Sequence, residues 1–406
     1  MGPGDMKVGP SLEDIRRRNL GTLLRHVHLG GPLSRATLAD RMGLNRSTIM
    51  ALTADLTSAG LVREELPKDT GLRGRPSLLV RPESNRVYVL AFDVRSDRLV
   101  AARVGLGGSI LDRREAIQPR NGNDLDNVVR TLAEIARQLE RDTRSDAICV
   151  GVGAAYCGMV RPIDGMVRFG PNAGWVDQAL GTELGLRLGY GMPVLVGNDA
   201  NLGALAEYER GAGIGCQNLI YMHGDVGVGG GIIVGGKLLY GDGGYGGEIG
   251  HTVVNPRDGR PCRCGSRGCL EAEVGGRALI AAANLSTKLV ARDAIRALVD
   301  ASDRGDLTAR DSLHQVGDWL GIGIANLVNV FNPGMVIFGG TLGKLYLGAG
   351  EQVRRRLMTN ALTVSREGLR LHTPALGDDA ILVGAAELAF SQVLASPLEV
   401  LTHRTS

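Results

Sequence analysis

The sequence predicts an α/β protein with a winged helix-turn-helix at its N-terminal end. Three features carry this prediction. A helical pattern with short breaks runs from Leu12 to about Leu66, strands and helices alternate beyond Arg86, and basic residues concentrate in the first part of the chain. Residues 1–86 hold 14 Lys/Arg against 9 Asp/Glu, whereas the remainder holds 32 against 34. A basic end on a slightly acidic body suits a nucleic-acid reader joined to a second function. Charge by itself leaves a solvated basic surface as the alternative.

At 406 residues the chain is too long for one ordinary core. Its 44% hydrophobic and 22% charged residues are the balance of a soluble globular protein. No apolar run approaches the about 18 residues of a membrane span, and the N-terminus lacks the charged-then-apolar layout of a signal peptide. A cytoplasmic protein without membrane insertion is expected.

The Gly/Pro-rich residues 1–10 are expected to form a disordered tail, and residues 11–84 a DNA-binding domain. Ser34 caps a helix reaching Met42, Gly43 permits a tight turn, and Leu44 plugs the angle before a second helix, Arg46–Ala59, capped by Asn45. Ile49, Leu52 and Leu56 share one face at helical spacing. That leaves Arg46, Ser47, Thr48 and Met50 near the helix start, where a recognition helix meets major-groove base edges. Leu61–Glu65 and Ser77–Val80 read as two wing strands, with Arg73 and Arg75 in the Gly/Pro-rich loop between them. Helical pairs are often mere packing units, but here the turn spacing, the strand pair and the Arg-bearing loop coincide. The candidate DNA contacts are Ser34, Arg35, Asn45, Arg46, Ser47, Thr48, Arg73 and Arg75. One short helix reads few bases, so a homodimer or homotetramer bringing paired arms to symmetric half-sites of operator DNA is expected.

In the body, Val87–Phe92 and Leu99–Val104 read as strands, followed by a helix over about 124–141 and a strand at Ala147–Val152. The glycine-rich segment 224–250 keeps a β-type stretch, Gly231–Val234. A late strand, Met335–Phe338, ends in Gly339-Gly340, which fits either a nucleotide pocket or a tight strand-to-helix turn. A helix follows near Ala380–Leu394. Three of the six cysteines, Cys262, Cys264 and Cys269, fall within eight residues. In a cytoplasmic protein such a cluster points to metal rather than disulfides. Cys149, Cys157 and Cys216 sit in apolar or glycine-rich surroundings and read as inert core residues.

Gly247-Glu248-Ile249-Gly250-His251, followed by Cys262-Arg263-Cys264-Gly265-Ser266-Arg267-Gly268-Cys269-Leu270-Glu271, resembles the ROK family of repressors, open reading frames and kinases. The resemblance extends over nearly the whole chain, because the regulator branch of that family carries an N-terminal winged helix. It implies a two-lobed, actin-like (sugar kinase/ribonuclease H-like) body with its ligand between the lobes. On that basis residues 85–200 form the N-terminal lobe and 201–406 the C-terminal lobe, the final helix returning to the N-terminal lobe. His251, Cys262, Cys264 and Cys269 supply three thiolates and an imidazole, the donor set of a closed, structural zinc site holding one Zn2+ per chain. A redox couple of Cys262 and Cys264 is the competing reading.

The resemblance also places a sugar or sugar phosphate on Asn172 of Gly170-Pro171-Asn172, on Asn198 and Asp199 of Asn198-Asp199-Ala200-Asn201, and on Glu248, His251 and Glu271. Amides and carboxylates match the donors and acceptors of a polyol. In the family's kinases the position of Asp199 is the general base. The phosphate-binding equipment departs from the pattern. Where the kinases show an Asp-x-Gly-Gly-Thr loop, this chain reads Asp93-Val94-Arg95-Ser96-Asp97, and Asp225-Val226 opens the second glycine-rich loop. Phosphoryl transfer rests on positioning and electrostatics, so acids at these positions oppose it. The expectation is a sugar-responsive transcriptional regulator, a repressor whose kinase-like domain keeps Asp199 as a vestige and catalyses nothing. The alternative is a bifunctional ATP-dependent sugar kinase with a DNA-binding arm.

Overall fold

The computed structural model describes residues 11–66, 77–118, 124–170, 173–285 and 291–399. The 1–10 tail, the wing residues Arg73 and Arg75, and Asn172 lie outside the described residues.

The arm begins with α1 (Leu12–Gly30), opened by a reciprocal cap between Ser11 and Asp14. A two-residue strand β1 (Leu33–Ser34) leads into α2 (Arg35–Met42), and α3 (Arg46–Ser58) follows. Ser34 Oγ accepts from Thr37 N–H at 3.0 Å, and Asn45 Oδ1 from Thr48 N–H at 2.8 Å, so both caps are in place. Between the helices Gly43 takes φ +61°, a left-handed conformation that a side chain would resist. Strands β2 (Val62–Glu65) and β3 (Leu79–Pro82) pair antiparallel, and β1 adds to the other edge of β3. The second wing strand thus starts two residues later than its β-propensity predicts. The Glu83 N–H donates to the Leu61 carbonyl, which pins Val62 opposite Pro82 and sets the register from that end.

The N-terminal lobe is built on β4 (Val87–Val94), β5 (Arg98–Gly105), β6 (Ile110–Ile117), β7 (Ile148–Tyr156) and β11 (Val194–Asn198), in the order β11-β7-β4-β5-β6. Helix α4 (Leu125–Arg141) covers one face, with Val128, Leu132, Ala136 and Leu139 buried at helical spacing. A lip sheet of β8 (Met159–Arg161), β9 (Met166–Gly170) and β10 (Trp175–Gln178) folds over the end of β7, where Trp175 stacks on Tyr156 with centroids 4.9 Å apart. Helix α5 (Leu180–Leu188) precedes β11, and α6 (Asp199–Arg210) leaves it directly.

The C-terminal lobe repeats the plan with β12 (Leu219–Gly224), β13 (Val228–Val234), β14 (Lys237–Leu238), β15 (Met335–Gly339) and β16 (Arg370–His372), ordered β14-β13-β12-β15-β16. Helices α7 (Leu270–Val274), α8 (Gly276–Ala282), α9 (Ala291–Asp303), α10 (Leu307–Phe331), α11 (Gly340–Asn360) and α12 (Thr363–Arg366) belong to this lobe. The Gly339-Gly340 pair forms the turn from β15 into α11. Gly340 has φ +58°, and a Cβ there would lie 2.1 Å from the Gly224 carbonyl oxygen, so the close approach of two chains accounts for it.

The last helix, α13 (Ala380–Ala395), packs on the N-terminal sheet and reaches the arm. One continuous core runs from Leu23, Leu38, Ile49 and Leu56 of the arm through Phe390 and Leu394 of α13 to Val89 and Val104 of the lobe. The arm is therefore packed onto the body. Among the described residues, no helix is long and apolar enough to cross a membrane.

Candidate ligand cleft, metal cluster and DNA-reading face

Parallel strands β7 and β11 end side by side, with Tyr156 opposite Asn198. Ligands of such sheets gather at the carboxyl ends of strands. The cleft there is lined from the N-terminal lobe by Cys157, Gly158, Met159, Phe169, Asn198 and Asp199. From the other lobe it receives His223, the loop 225–230, Glu248, His251, Arg263, Cys264 and Glu271. Five of the six residues predicted to meet a sugar, Asn198, Asp199, Glu248, His251 and Glu271, thus face one cavity.

Each polar group has a defined support. Asn198 caps α6 by accepting from Asn201 N–H at 3.0 Å, and its amide donates to the Gly158 carbonyl at 3.0 Å. Asp199 accepts from Ala200 N–H at 2.8 Å. Burial, and then the charge of Asp93, push the Asp199 carboxyl up to about 7. Glu271 accepts from Val228 N–H at 3.0 Å, which ties the start of α7 to the second glycine-rich loop. His223 is half-buried at the cleft wall, where desolvation first, and then the charges of Arg95 and Arg292, drive its imidazole down to about 3, so it is neutral.

Cys157 corrects the sequence reading. It is no inert core residue: it lines the cleft, and its thiol donates to the Asp199 carboxylate. The reason is positional, since Cys157 follows the last residue of β7 and so sits at the strand end beside Asn198.

The phosphate-loop region also holds a residue the sequence reading passed over. Arg95 occupies the first glycine position of the kinase pattern, and its Nε donates to the buried Asp93 carboxylate at 2.6 Å. Its Nη2 reaches the Asp378 carbonyl at 3.0 Å, bridging the N-terminal lobe to the segment before α13. Arg95 is thus held by protein groups at both ends. Asp97, expected to intrude on a polyphosphate, is largely exposed beside Arg98. The legible signal was an Arg replacing Gly two residues after a buried Asp.

At the rim of the cleft, one ligand atom from each of His251, Cys262, Cys264 and Cys269 lies within 4.8 Å of all the others. The Cys264 and Cys269 sulfurs are 3.7 Å apart, and Cys262 Sγ is 3.6 Å from His251 Nδ1. Donors about 2.0–2.3 Å from a common tetrahedral centre would stand at such separations. The other His251 nitrogen, Nε2, faces Glu248 Oε2 at 4.0 Å. The four residues can hold a metal ion, and doing so would fix the loop that carries Glu248.

On the arm, Arg46, Ser47 and Met50 are exposed at the start of α3, while Ile49, Leu52 and Leu56 are buried. Ser34 and Asn45 spend their side-chain oxygens on capping, and Arg35 is paired with Glu64 of the wing strand. Among the described residues predicted to touch DNA, Asn45, Arg46 and Ser47 are the exposed ones.

Comparison with known proteins extends this picture. The model of the ROK family matches residues 89–392. A xylose repressor from Caldicellulosiruptor bescii is 28% identical over 90% of this chain and 93% of its own length. A glucokinase from Halalkalibacterium halodurans is 32% identical, but it covers 76% of this chain and 96% of its own length. A crystal structure described as a ROK family transcriptional regulator, homolog of the E. coli MLC protein, superposes with a TM-score of 0.79 at 26% identity, covering 96% of this chain and 100% of its own.

Proposed function

The chain belongs to the ROK family, and we propose that it is a transcriptional repressor whose grip on operator DNA responds to a monosaccharide bound between the lobes. The observation that carries this reading is the junction of a complete helix-turn-helix with a polyol-suited cleft in which Arg95, held by Asp93 and Asp378, stands where a phosphate loop needs glycine. The share of chain covered supports it: the repressor relative covers 90% of the chain, more than the body alone, whereas the kinase relative covers 76%, no more than the length of the body. Pentoses and hexoses are the ligand class to test first, since those relatives are named for xylose and glucose. Asn172, Asn198, Asp199, Glu248, His251 and Glu271 are the proposed sugar contacts. The metal proposed for His251, Cys262, Cys264 and Cys269 is zinc, because three thiolates and an imidazole satisfy a closed tetrahedral site. The working assembly is an even-numbered homo-oligomer acting in the cytoplasm, where the operator DNA is.

The retained Asp199 and the likeness to a glucokinase favour one rival, a sugar kinase with a DNA-binding arm. A melting-temperature screen of monosaccharides with and without ATP separates the two, because a ligand that binds only the folded state raises its midpoint by mass action. The repressor reading expects a shift with sugar that ATP does not increase, and no ADP release above a protein-free blank. Sugar-dependent ADP release would reverse the assignment.

A further inference from the structure

Helix α6 starts at the ligand cleft and ends on the DNA-reading arm. Asn198 caps it, Asp199 is its first residue and Arg210 its last. At 1.5 Å per residue its two ends stand about 17 Å apart. The helix is clamped along its length. Buried Glu207 accepts from the backbone N–H groups of Ala375 at 3.1 Å and Leu376 at 2.9 Å, just before α13. Helix α13 crosses α6 so closely that a Cβ on Gly384 would lie 2.0 Å from the Leu202 carbonyl oxygen. In turn α13 crosses α1, where a Cβ on Gly21 would lie 2.4 Å from the Leu394 carbonyl oxygen. Backbones touching in this way leave no side chain between them to absorb a shift.

At the far end of α6 one guanidinium ties four elements together. Arg210 Nη1 donates to the His28 carbonyl of α1 at 3.2 Å and to the Gly107 carbonyl of the β5–β6 turn at 3.0 Å, and its Nε pairs with Glu387 of α13. His28 Nδ1 accepts from Gly107 N–H at 2.9 Å, which leaves its proton on Nε2 for Glu387 Oε2 at 3.0 Å. His28 and Glu387 are almost wholly shut off from solvent. Arg25 of α1 pairs with Glu209 of α6 beside this network.

We propose that Arg210 is the positioning residue through which occupation of the cleft reaches the arm. A ligand that engages Asn198 and Asp199 shifts α6 as a rigid rod, and Arg210 transfers the shift to α1 and so to the orientation of α3. The inference rests on the repressor reading.

The test uses the full-length protein. The sugar is whichever of D-xylose and D-glucose raises the melting midpoint more, and the DNA is a duplex selected by the wild type from a random library. Three quantities are compared in wild type, Arg210→Gln and Arg210→Lys: sugar affinity, the ratio of duplex affinities without and with saturating sugar, and hydrogen exchange in residues 12–30 with and without sugar. The wild type is expected to show a ratio of about tenfold or more. Arg210→Gln is expected to bind sugar within about twofold of wild type while its ratio collapses below about twofold. Exchange in α1 then no longer responds to sugar, and Arg210→Lys recovers part of both responses. Should Arg210→Gln unfold the arm, Arg210→Lys decides by the same two readouts, with a ratio below that of wild type expected. A variant that binds sugar normally and keeps the full wild-type ratio overturns the role of Arg210 and leaves the repressor reading standing. A wild type whose duplex affinity ignores bound sugar overturns both.

Discussion

Glu387, near the middle of the last helix, accepts a hydrogen bond from Nε2 of His28, in the first helix, at 3.0 Å inside the core. Burial raises the Glu387 carboxyl, but His28 and Arg210 together outweigh it and hold the group down to about 2. For His28 burial outweighs the pull of the Glu387 carboxylate and lowers the imidazole below its ordinary value. The unfolded chain takes up a proton near pH 6.5, as a free histidine does, and the folded chain only at a lower pH. Stability from this group is therefore present above about pH 6.5 and drains as the pH falls below it. Glu387 adds a loss of the same sign at lower pH, between 4.5 and about 2. Melting midpoints between pH 8 and 5.5 are expected to fall more steeply in wild type than in His28→Gln. Replacement by Ala, which leaves the Gly107 N–H and a Glu387 oxygen unmatched, is expected to cost about 2–4 kcal/mol. Equal pH slopes in wild type and His28→Gln would remove His28 from this account.

Asp199 works in the opposite sense. Its carboxyl is raised from 3.8 to about 7, so its contribution to the stability of ligand-free protein is lost as the pH rises through about 7. A sugar hydroxyl donates best to the ionised form. Calorimetric titration is expected to find sugar binding about tenfold tighter at pH 8 than at pH 6, following the ionised fraction. In Asp199→Asn binding is weaker and flat with pH. A flat profile in the wild type would mean that the carboxylate does not meet the ligand.

Metal analysis of purified protein is expected to find one zinc per chain. Its removal by a chelator, or Cys264→Ser, lowers the melting midpoint of the body, because binding free energy of such a site is also folding free energy. Intact thiols with well under one metal per chain would leave the cluster without its proposed purpose.

Arg46 is the exposed cation at the start of α3. Arg46→Ala is expected to cost about 1–3 kcal/mol on the selected duplex and much less on random DNA. Equal losses on both would make Arg46 a phosphate contact instead of a base reader. Sedimentation of the complex is expected to find two arms per selected duplex.

Local signals were read well from the residues. The caps at Ser34 and Asn45, the left-handed turn at Gly43, the face of Ile49, Leu52 and Leu56, and the cluster of His251 with three cysteines each depend on a few neighbouring residues. What the sequence hid is long-range. The pairing of β1 with β3, the start of the second wing strand at Leu79, the thiol of Cys157 on Asp199 and the guanidinium of Arg95 on Asp378 all depend on segments that meet only in the fold. The same holds for His28, an ordinary residue of an amphipathic helix until α6 and α13 close around it.

The central claim is that sugar between the lobes changes the grip of the arm on DNA. Titration of the selected duplex into wild type and Asp199→Asn, each with and without the sugar found by melting shift, tests it most directly. Linkage requires the coupling to be reciprocal, so the duplex must change sugar affinity by the same factor. The account predicts a shift of about tenfold or more in wild type, and little shift with nearly unchanged sugar-free DNA binding in Asp199→Asn. A sugar that binds tightly to the wild type and leaves its DNA affinity unchanged would contradict it.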